Sequence, residues 1–488
     1  MDQQADTLFR QAEAEARAGR LAAAEASLRG VLHRAPAHHA ARFHLSHLLL
    51  AQLRFAEAAA EARKLPAHPE AQLLLITALN SLGEQGEAAS LYRTVLEAAP
   101  NAPPLWSGYG HVLRMLGERA EAEAAYRKAL ELQPSFGEAW WALADLKTRR
   151  FSAEEIAAMR GQLERGALAP ADRAHLLYAY AKALEDEGQA AEAFAAYREG
   201  AGLRSGGGDE AGRIEAVVRR TEALLTEEFF AARQGWGAEA ADPIFILGMP
   251  RSGSTLVEQI LASHSAVEAT MELSDVWVLA RSLAPNGAYL EALPGLSRER
   301  AAQLGAAYVD GVAPRRKLGK AHFIDKMPSN WAHIGLIHLM APNAKIIDVR
   351  RHPMACSWSC YKQHFPAGME YTYDFDQLGR YYAAYVRQMA HVDRVLPGRV
   401  HRLIYERLVE NPDAEIRALL AYCGLEFEPA CLTPHQTQRV VRSVSSEQVR
   451  RPISAKGLDD WRTFEPFLDA LKRALGPVLD CYPDAPSG

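Results

Sequence analysis

Across residues 8–202 apolar side chains recur every three or four positions between charged and small polar ones, the spacing of helices with one apolar stripe. A longer period lies over this one. Gly83 and Gly117, Tyr92 and Tyr126, Leu96 and Leu130, and Pro100 and Pro134 are each 34 residues apart. The same frame, glycine, an apolar or aromatic residue nine later and proline seventeen later, recurs as Gly19, Leu28 and Pro36, and begins again at Gly188 and Tyr197. Glycine suits the turn between two helices and proline the end of the second, and such helices bury their stripes only by stacking on neighbours. Four to six units are expected, with the region around Leu53 to Pro66 compressed and residues 150–170 outside the frame. Leu203 to Glu210 is too polar and glycine-rich for a packed helix and is read as a hinge, followed by an amphipathic helix from about Arg213 to Ala232.

The 34-residue frame resembles tetratricopeptide (TPR) repeats, whose unit is a helix-turn-helix. Beyond it the pattern changes. Pro243 to Leu247 is a short continuous apolar run, suited to a buried parallel strand, and Leu256 to Ser263 then reads as a helix. Phe323-Ile324, Ala344 to Val349 and Val400 to Glu406 read as further strands or strand ends, and a last helix near Trp461 to Leu475 as packing. The fold class expected is an all-α TPR solenoid followed by an α/β P-loop domain with a mainly parallel sheet. The limits are 1–202 for the repeats, 203–240 for the linker and connecting helix, and 241–488 for the second domain.

A chain of 488 residues exceeds what one core usually supports, which agrees with that division. Hydrophobic residues at 49%, charged residues at 24% and a formal net charge of −5 give no general attraction to nucleic acid or membrane. The acidic start Met1-Asp2-Gln3-Gln4-Ala5-Asp6 lacks the features of a secretory signal, and no apolar run approaches about 20 residues. A cytoplasmic protein without a membrane span is expected. Five cysteines, all in the C-terminal half, imply no disulfide framework; Cys356 and Cys360 read as small core residues, not zinc ligands.

The candidate chemistry follows the first strand. Gly248-Met249-Pro250-Arg251-Ser252-Gly253-Ser254-Thr255 has the G-x-x-x-x-G spacing of a loop whose backbone N–H groups, with the helix dipole behind them, cradle a phosphate. Ser254 stands where nucleoside-triphosphatases carry lysine, and Arg251 offers a forked donor for a differently shaped anion. A P-loop kinase or nucleotide hydrolase, with Asp348 as magnesium ligand, is the first rival, and the missing lysine argues against it. A non-catalytic TPR interaction protein with a nucleotide-binding domain is the second.

Pro250 to Thr255 resembles the 5′-phosphosulfate loop of sulfotransferases, in which threonine is more usual at Ser254. Arg350-Arg351-His352-Pro353 and the helix after it resemble that family's 3′-phosphate segment, with Arg351 and Ser359 at the family spacing and Ala355 where an acidic residue is common. Within the family the likeness is closest to tyrosylprotein sulfotransferases and to bacterial TPR-linked members. The resemblance implies that 3′-phosphoadenosine-5′-phosphosulfate (PAPS) is the donor, bound by Arg251, Ser252, Gly253, Ser254, Thr255, Arg351, Ser359 and Tyr405, with Ser445 and Arg450 from a C-terminal loop. It implies Glu272 as base, Lys326 and Arg251 stabilising charge on the leaving group, adenosine 3′,5′-bisphosphate as product and no metal. The repeats imply a protein or peptide acceptor or partner, and an acceptor hydroxyl such as a peptidyl tyrosine is expected.

Overall fold

The computed structural model describes residues 3–66, 68–147, 150–166, 168–284, 287–365, 368–439, 448–455 and 457–486. They form two compact units, residues 1–134 and 135–488.

The first unit is a run of paired antiparallel helices: Gln3–Arg17 with Leu21–Arg34, His39–Ala51 with Phe55–Ala62, Pro69–Leu82 with Gln85–Ala98, and Pro103–Leu116 with Arg119–Leu132. The 34-residue frame has a physical origin here. Gly83 and Gly117 end their helices with φ of 80° and 88°, left-handed backbone that favours glycine. The frame tyrosines lie on glycines of the neighbouring helix: a Cβ on Gly110 would stand 2.5 Å from the Tyr126 ring, and one on Gly108 would collide with Tyr92. Pro100 and Pro134 fall just past helix ends, and the compressed region holds the short helix Phe55–Ala62.

The second unit opens with helices Gly137–Asp145, Ala153–Glu164, Pro170–Asp186 and Ala190–Arg204. Helix Ala153–Glu164, in the stretch outside the frame, starts with a Ser152/Glu155 capping box instead of a repeat turn. Tyr178, Phe194 and Tyr197 from the next pair share one buried cluster with Trp358, Tyr373 and Phe464, and Tyr178 donates a hydrogen bond to the Tyr361 carbonyl at 3.0 Å. The polar segment that follows is tied down at its end: Glu210 accepts from the Tyr371 backbone N–H at 3.0 Å, and Asp209 caps helix Glu210–Leu224. The amphipathic stretch to Ala232 is two helices, because Thr226 breaks the first and caps the second, Glu227–Ala231.

Five parallel strands follow: β1 Pro243–Gly248, β2 Val267–Ala269, β3 His322–Lys326, β4 Lys345–Arg350 and β5 His401–Ile404, in the order β2-β3-β1-β4-β5. Every residue of β1 is buried. Phe245 and Leu247 face one apolar cluster, Ile244 and Ile246 the other, as a sheet covered on both faces requires. Near the C-terminus the expected single helix is a 3₁₀ segment, Asp460–Phe467, then a short α-helix, Asp469–Leu475. Pro466 supplies no N–H at the junction. Trp461, Phe464, Leu468, Leu471 and Leu475 are buried, so the segment does pack. Among the described residues no helix is long and apolar enough to cross a membrane.

Candidate active site

Parallel strands deliver their C-terminal ends to one edge of the sheet, and open α/β sheets place ligands there. Register sets which side chains arrive. Gly248 of β1 lies opposite Val349 of β4, Ile246 of β1 opposite Lys326 of β3, and Ile404 of β5 opposite Arg350 of β4. The loop 248–255, Lys326, Arg351 and Tyr405 therefore emerge side by side, and Glu272 follows β2 by three residues.

The loop is held in a backbone path that glycine permits. Gly248 and Gly253 have φ of 136° and 104°, and Arg251 itself sits at 65°. A Cβ on Gly248 would meet the Val349 carbonyl at 2.5 Å, and one on Gly253 the Tyr405 ring at 2.3 Å. Tyr405 thus roofs the turn that starts helix Ser254–Ala262, whose first residues, Ser254 and Thr255, are buried. Below the loop, the Cys356 and Cys360 thiols both donate to the Pro250 carbonyl at 3.2 Å. These cysteines brace the loop, and burial pushes the Cys360 thiol well above its ordinary range.

Arg251 Nε donates to Ser359 Oγ at 3.0 Å, and its Nη2 to Gln448 Oε1 at 3.3 Å. Arg351 Nη1 donates to the Arg251 carbonyl at 3.2 Å and its Nη2 to the Gly457 carbonyl at 2.9 Å, with its guanidinium 5.0 Å from the Tyr405 ring centroid. Burial, and then the neighbouring Arg351 charge, lowers the grip of Arg251 on its proton. Two guanidiniums drawn together in this way favour an anion between them. Among the described residues, the buried polar atoms around the loop without a hydrogen-bond partner include Ser252 Oγ, Arg351 Nε and Ser357 Oγ. Hydroxyl and guanidinium donors left over in a buried site suit phosphate or sulfate oxygens.

Beside this cluster, Lys326 is buried and its ammonium pairs with the carboxylate of Glu272, whose side chain is 43% exposed. The pair is fixed from below by Thr270, whose hydroxyl donates to the Ile324 carbonyl at 2.7 Å, and by the Lys326 N–H, which donates to the Met271 carbonyl at 3.3 Å. The structure thus brings together a carboxylate open to solvent and a buried cation at the ends of adjacent strands.

The two arginines after β4 divide. Arg350 turns inward to Asp348 at 3.2 Å; Asp348 is fully buried and also accepts from Arg402 at 3.2 Å and from the Tyr385 hydroxyl. Arg351 alone faces the loop. Glu406, next to Tyr405, accepts from the His352 backbone N–H at 3.0 Å and so ties β5 to β4. Arg450 lies against the Arg439 carbonyl at 3.5 Å, and Ser445 lies outside the described residues. Among the described residues of that segment Gln448 reaches the loop, and sequence reasoning missed it because a glutamine amide has no motif of its own. Among the described residues no three His, Cys, Asp or Glu side chains group as metal ligands would.

Residues 243–429 match the sulfotransferase family model, and residues 103–146 match a tetratricopeptide-repeat model. An uncharacterized protein of Aquifex aeolicus is 33% identical over 55% of this chain, and the match spans 38% of that relative's own length. A Caenorhabditis briggsae protein whose name provisionally assigns it to the protein-tyrosine sulfotransferases is 25% identical over 48% of this chain and 85% of its own. Nodulation protein NoeE of Sinorhizobium fredii is 30% identical over 45% of this chain and 59% of its own. A solved sulfotransferase domain from the Synechococcus PCC 7002 olefin synthase is 23% identical over 47% of this chain and 90% of its own, with a TM-score of 0.36. By the two family models, residues 243–429 are similar to sulfotransferases and residues 103–146 to tetratricopeptide repeats.

Proposed function

We propose that the chain transfers a sulfuryl group from PAPS to an acceptor hydroxyl. The observation that carries this reading is the meeting of Arg251, Arg351 and Ser359 beside the Lys326–Glu272 pair at one sheet edge. A donor with phosphate on both sides of its ribose needs two sets of anion donors. The loop N–H groups with Arg251 offer one and Arg351 the other. The acceptor oxygen attacks sulfur in line, the bond from sulfur to the 5′-phosphate oxygen breaks, and adenosine 3′,5′-bisphosphate leaves. Glu272, open to solvent and to an incoming acceptor, takes the hydroxyl proton. Lys326 and Arg251 stabilise the negative charge that grows on the leaving oxygen. None of these roles calls for a metal. The engagement of Asp348 by Tyr385, Arg350 and Arg402 supports this reading over a kinase that would use Asp348 to hold magnesium.

In this reading residues 1–202 are the repeat domain, 203–240 the connection and 241–488 the transferase domain of a cytoplasmic enzyme. The repeats present a protein or peptide acceptor, such as one bearing a tyrosine, or a separate partner. The test is incubation with sulfur-labelled PAPS and fractionated cell extract, with thermal melting beside it. Labelled acceptor, and a rise in melting temperature with adenosine 3′,5′-bisphosphate well above that with magnesium ATP, are expected. Equal stabilisation by the two nucleotides, with no label transferred, would remove the proposal.

A further inference from the structure

Asp325 precedes Lys326 on β3 and points to the opposite face of the sheet, where it is fully buried. Its Oδ2 accepts a hydrogen bond from the Tyr308 hydroxyl at 2.8 Å, and its Oδ1 has no partner. Tyr308 comes from helix Arg298–Val312 and its ring packs, tilted, against those of Phe245 and Phe323, so this surrounding is apolar. The charged groups that face Asp325 are few. Asp275 stands at the start of helix Asp275–Leu283, three residues past Glu272, and Arg315 binds it at 2.5 Å. Asp275 Oδ2 is likewise buried without a partner. Lys326 is the remaining one. A carboxyl kept in such a place, with one oxygen unsatisfied, beside a lysine of the transfer site, is poorly explained by packing, since an apolar side chain would fill the space without that cost.

We propose that Asp325 and Tyr308 are positioning residues for the transfer site: while uncharged, Asp325 leaves the Lys326 ammonium to Glu272 and to the oxygens of the transferring group. Ionised, it would place a full negative charge on the residue next to Lys326 in a poorly screened interior, and its field, acting across the strand and not through contact, would weaken the pull of that ammonium on other anions. It would also repel Asp275 and so disturb the turn that carries Glu272. Burial pushes the Asp325 carboxyl up to about 8; Asp275 acts in the same sense, and the Tyr308 hydrogen bond, Arg315 and Lys326 oppose it. The group is therefore uncharged at neutral pH and charges in the mildly alkaline range.

The inference rests on the sulfuryl-transfer reading, and its test has one readout that needs turnover and one that does not. Between pH 7 and pH 9 wild-type turnover should fall about tenfold, the fraction of Asp325 still uncharged one unit above its midpoint. Asp325→Asn cannot ionise and should lose less than about twofold. Tyr308→Phe removes a hydrogen bond that favours the ionised form, so its alkaline fall should move to higher pH. A merely structural tyrosine would not move it in that direction. The second readout is the ε-carbon resonance of Lys326, assigned with Lys326→Arg: an inflection near pH 8 in the wild type, absent in Asp325→Asn. Persistence of either the alkaline fall or the inflection in folded Asp325→Asn would overturn the proposal. A wild type that shows the inflection but transfers nothing would sink the transferase reading and leave Asp325 as a titrating neighbour of Lys326 only.

Discussion

Arg351→Ala offers the sharpest separation between the two proposed anion sites. Wild-type Arg351 faces the loop with a buried Nε that has no partner, and holds the Arg251 carbonyl through Nη1 at 3.2 Å. If a 3′-phosphate is its ligand, truncation removes a charge-assisted hydrogen bond of about 1.5–3 kcal/mol, or roughly 10- to 150-fold in affinity for adenosine 3′,5′-bisphosphate. Adenosine 5′-phosphate lacks that group but still feels the loss of the Nη1 contact. That contact braces the loop and does not touch the ligand, so only part of its loss reaches the binding step and the 5′-only ligand should weaken by no more than about tenfold. Titration calorimetry with both ligands on one preparation measures the two losses. Arg351→Lys, which keeps the charge without the fork, should fall between wild type and Arg351→Ala for the bisphosphate. Equal losses for both ligands would refute the reasoning and leave Arg351 as a brace for the loop.

Glu272→Gln keeps the size of the side chain and removes the proposed proton acceptor, so turnover from labelled PAPS should drop by about 10²–10⁴-fold while the isotherm for adenosine 3′,5′-bisphosphate stays unchanged. Near-normal turnover would return Glu272 to an ordinary partner of Lys326. Gly253→Ala forces a side chain into positive φ and onto the Tyr405 ring at 2.3 Å; about 2–5 kcal/mol of destabilisation, read from urea midpoints, and loss of bisphosphate binding are expected. In the repeat unit Gly110→Ala should destabilise by up to about 2 kcal/mol, because its Cβ meets Tyr126, whereas Gly86→Ala, with open space around it, should be neutral or stabilising by about 0.5 kcal/mol. A shared sign for the two would contradict the packing described. Folded Asp325 binds its proton more tightly than the unfolded chain does, so its contribution falls as pH rises from about 4 to about 8. The stability advantage of Asp325→Asn over wild type should therefore grow across that window in chemical denaturation.

Much of this protein is legible in local spacing. The helical period, the 34-residue frame, the apolar run of β1 and the loop glycines each reflect a constraint that acts within a few residues: one buried stripe, one turn, one strand, one close approach of backbone. Gly83 and Gly117 are glycines because the turn after each helix is left-handed, and a sequence reader needs only that rule. The absence of a lysine at Ser254 is equally local.

What local spacing could not decide were the pairings between segments far apart in the chain. Arg350 and Arg351 are alike as sequence. Strand register turns one inward to Asp348 and the other out to the loop. Gln448 meets Arg251 across 197 residues, and the two cysteines that read as filler support Pro250 from more than a hundred residues away. The edge strand Val267–Ala269 is too short to announce itself, yet its pairing with β3 sets Glu272 beside Lys326. Helices Pro170–Asp186 and Ala190–Arg204 begin the repeat frame again at Gly188, but their aromatic faces are buried with the sheet's own helices. Hydrogen bonds within a helix or turn are written into neighbouring residues. Burial and register come from closing the whole chain on itself, and Asp325, an unremarkable acid in a strand, acquires its chemistry only once Tyr308 and the apolar wall around it have shut out water.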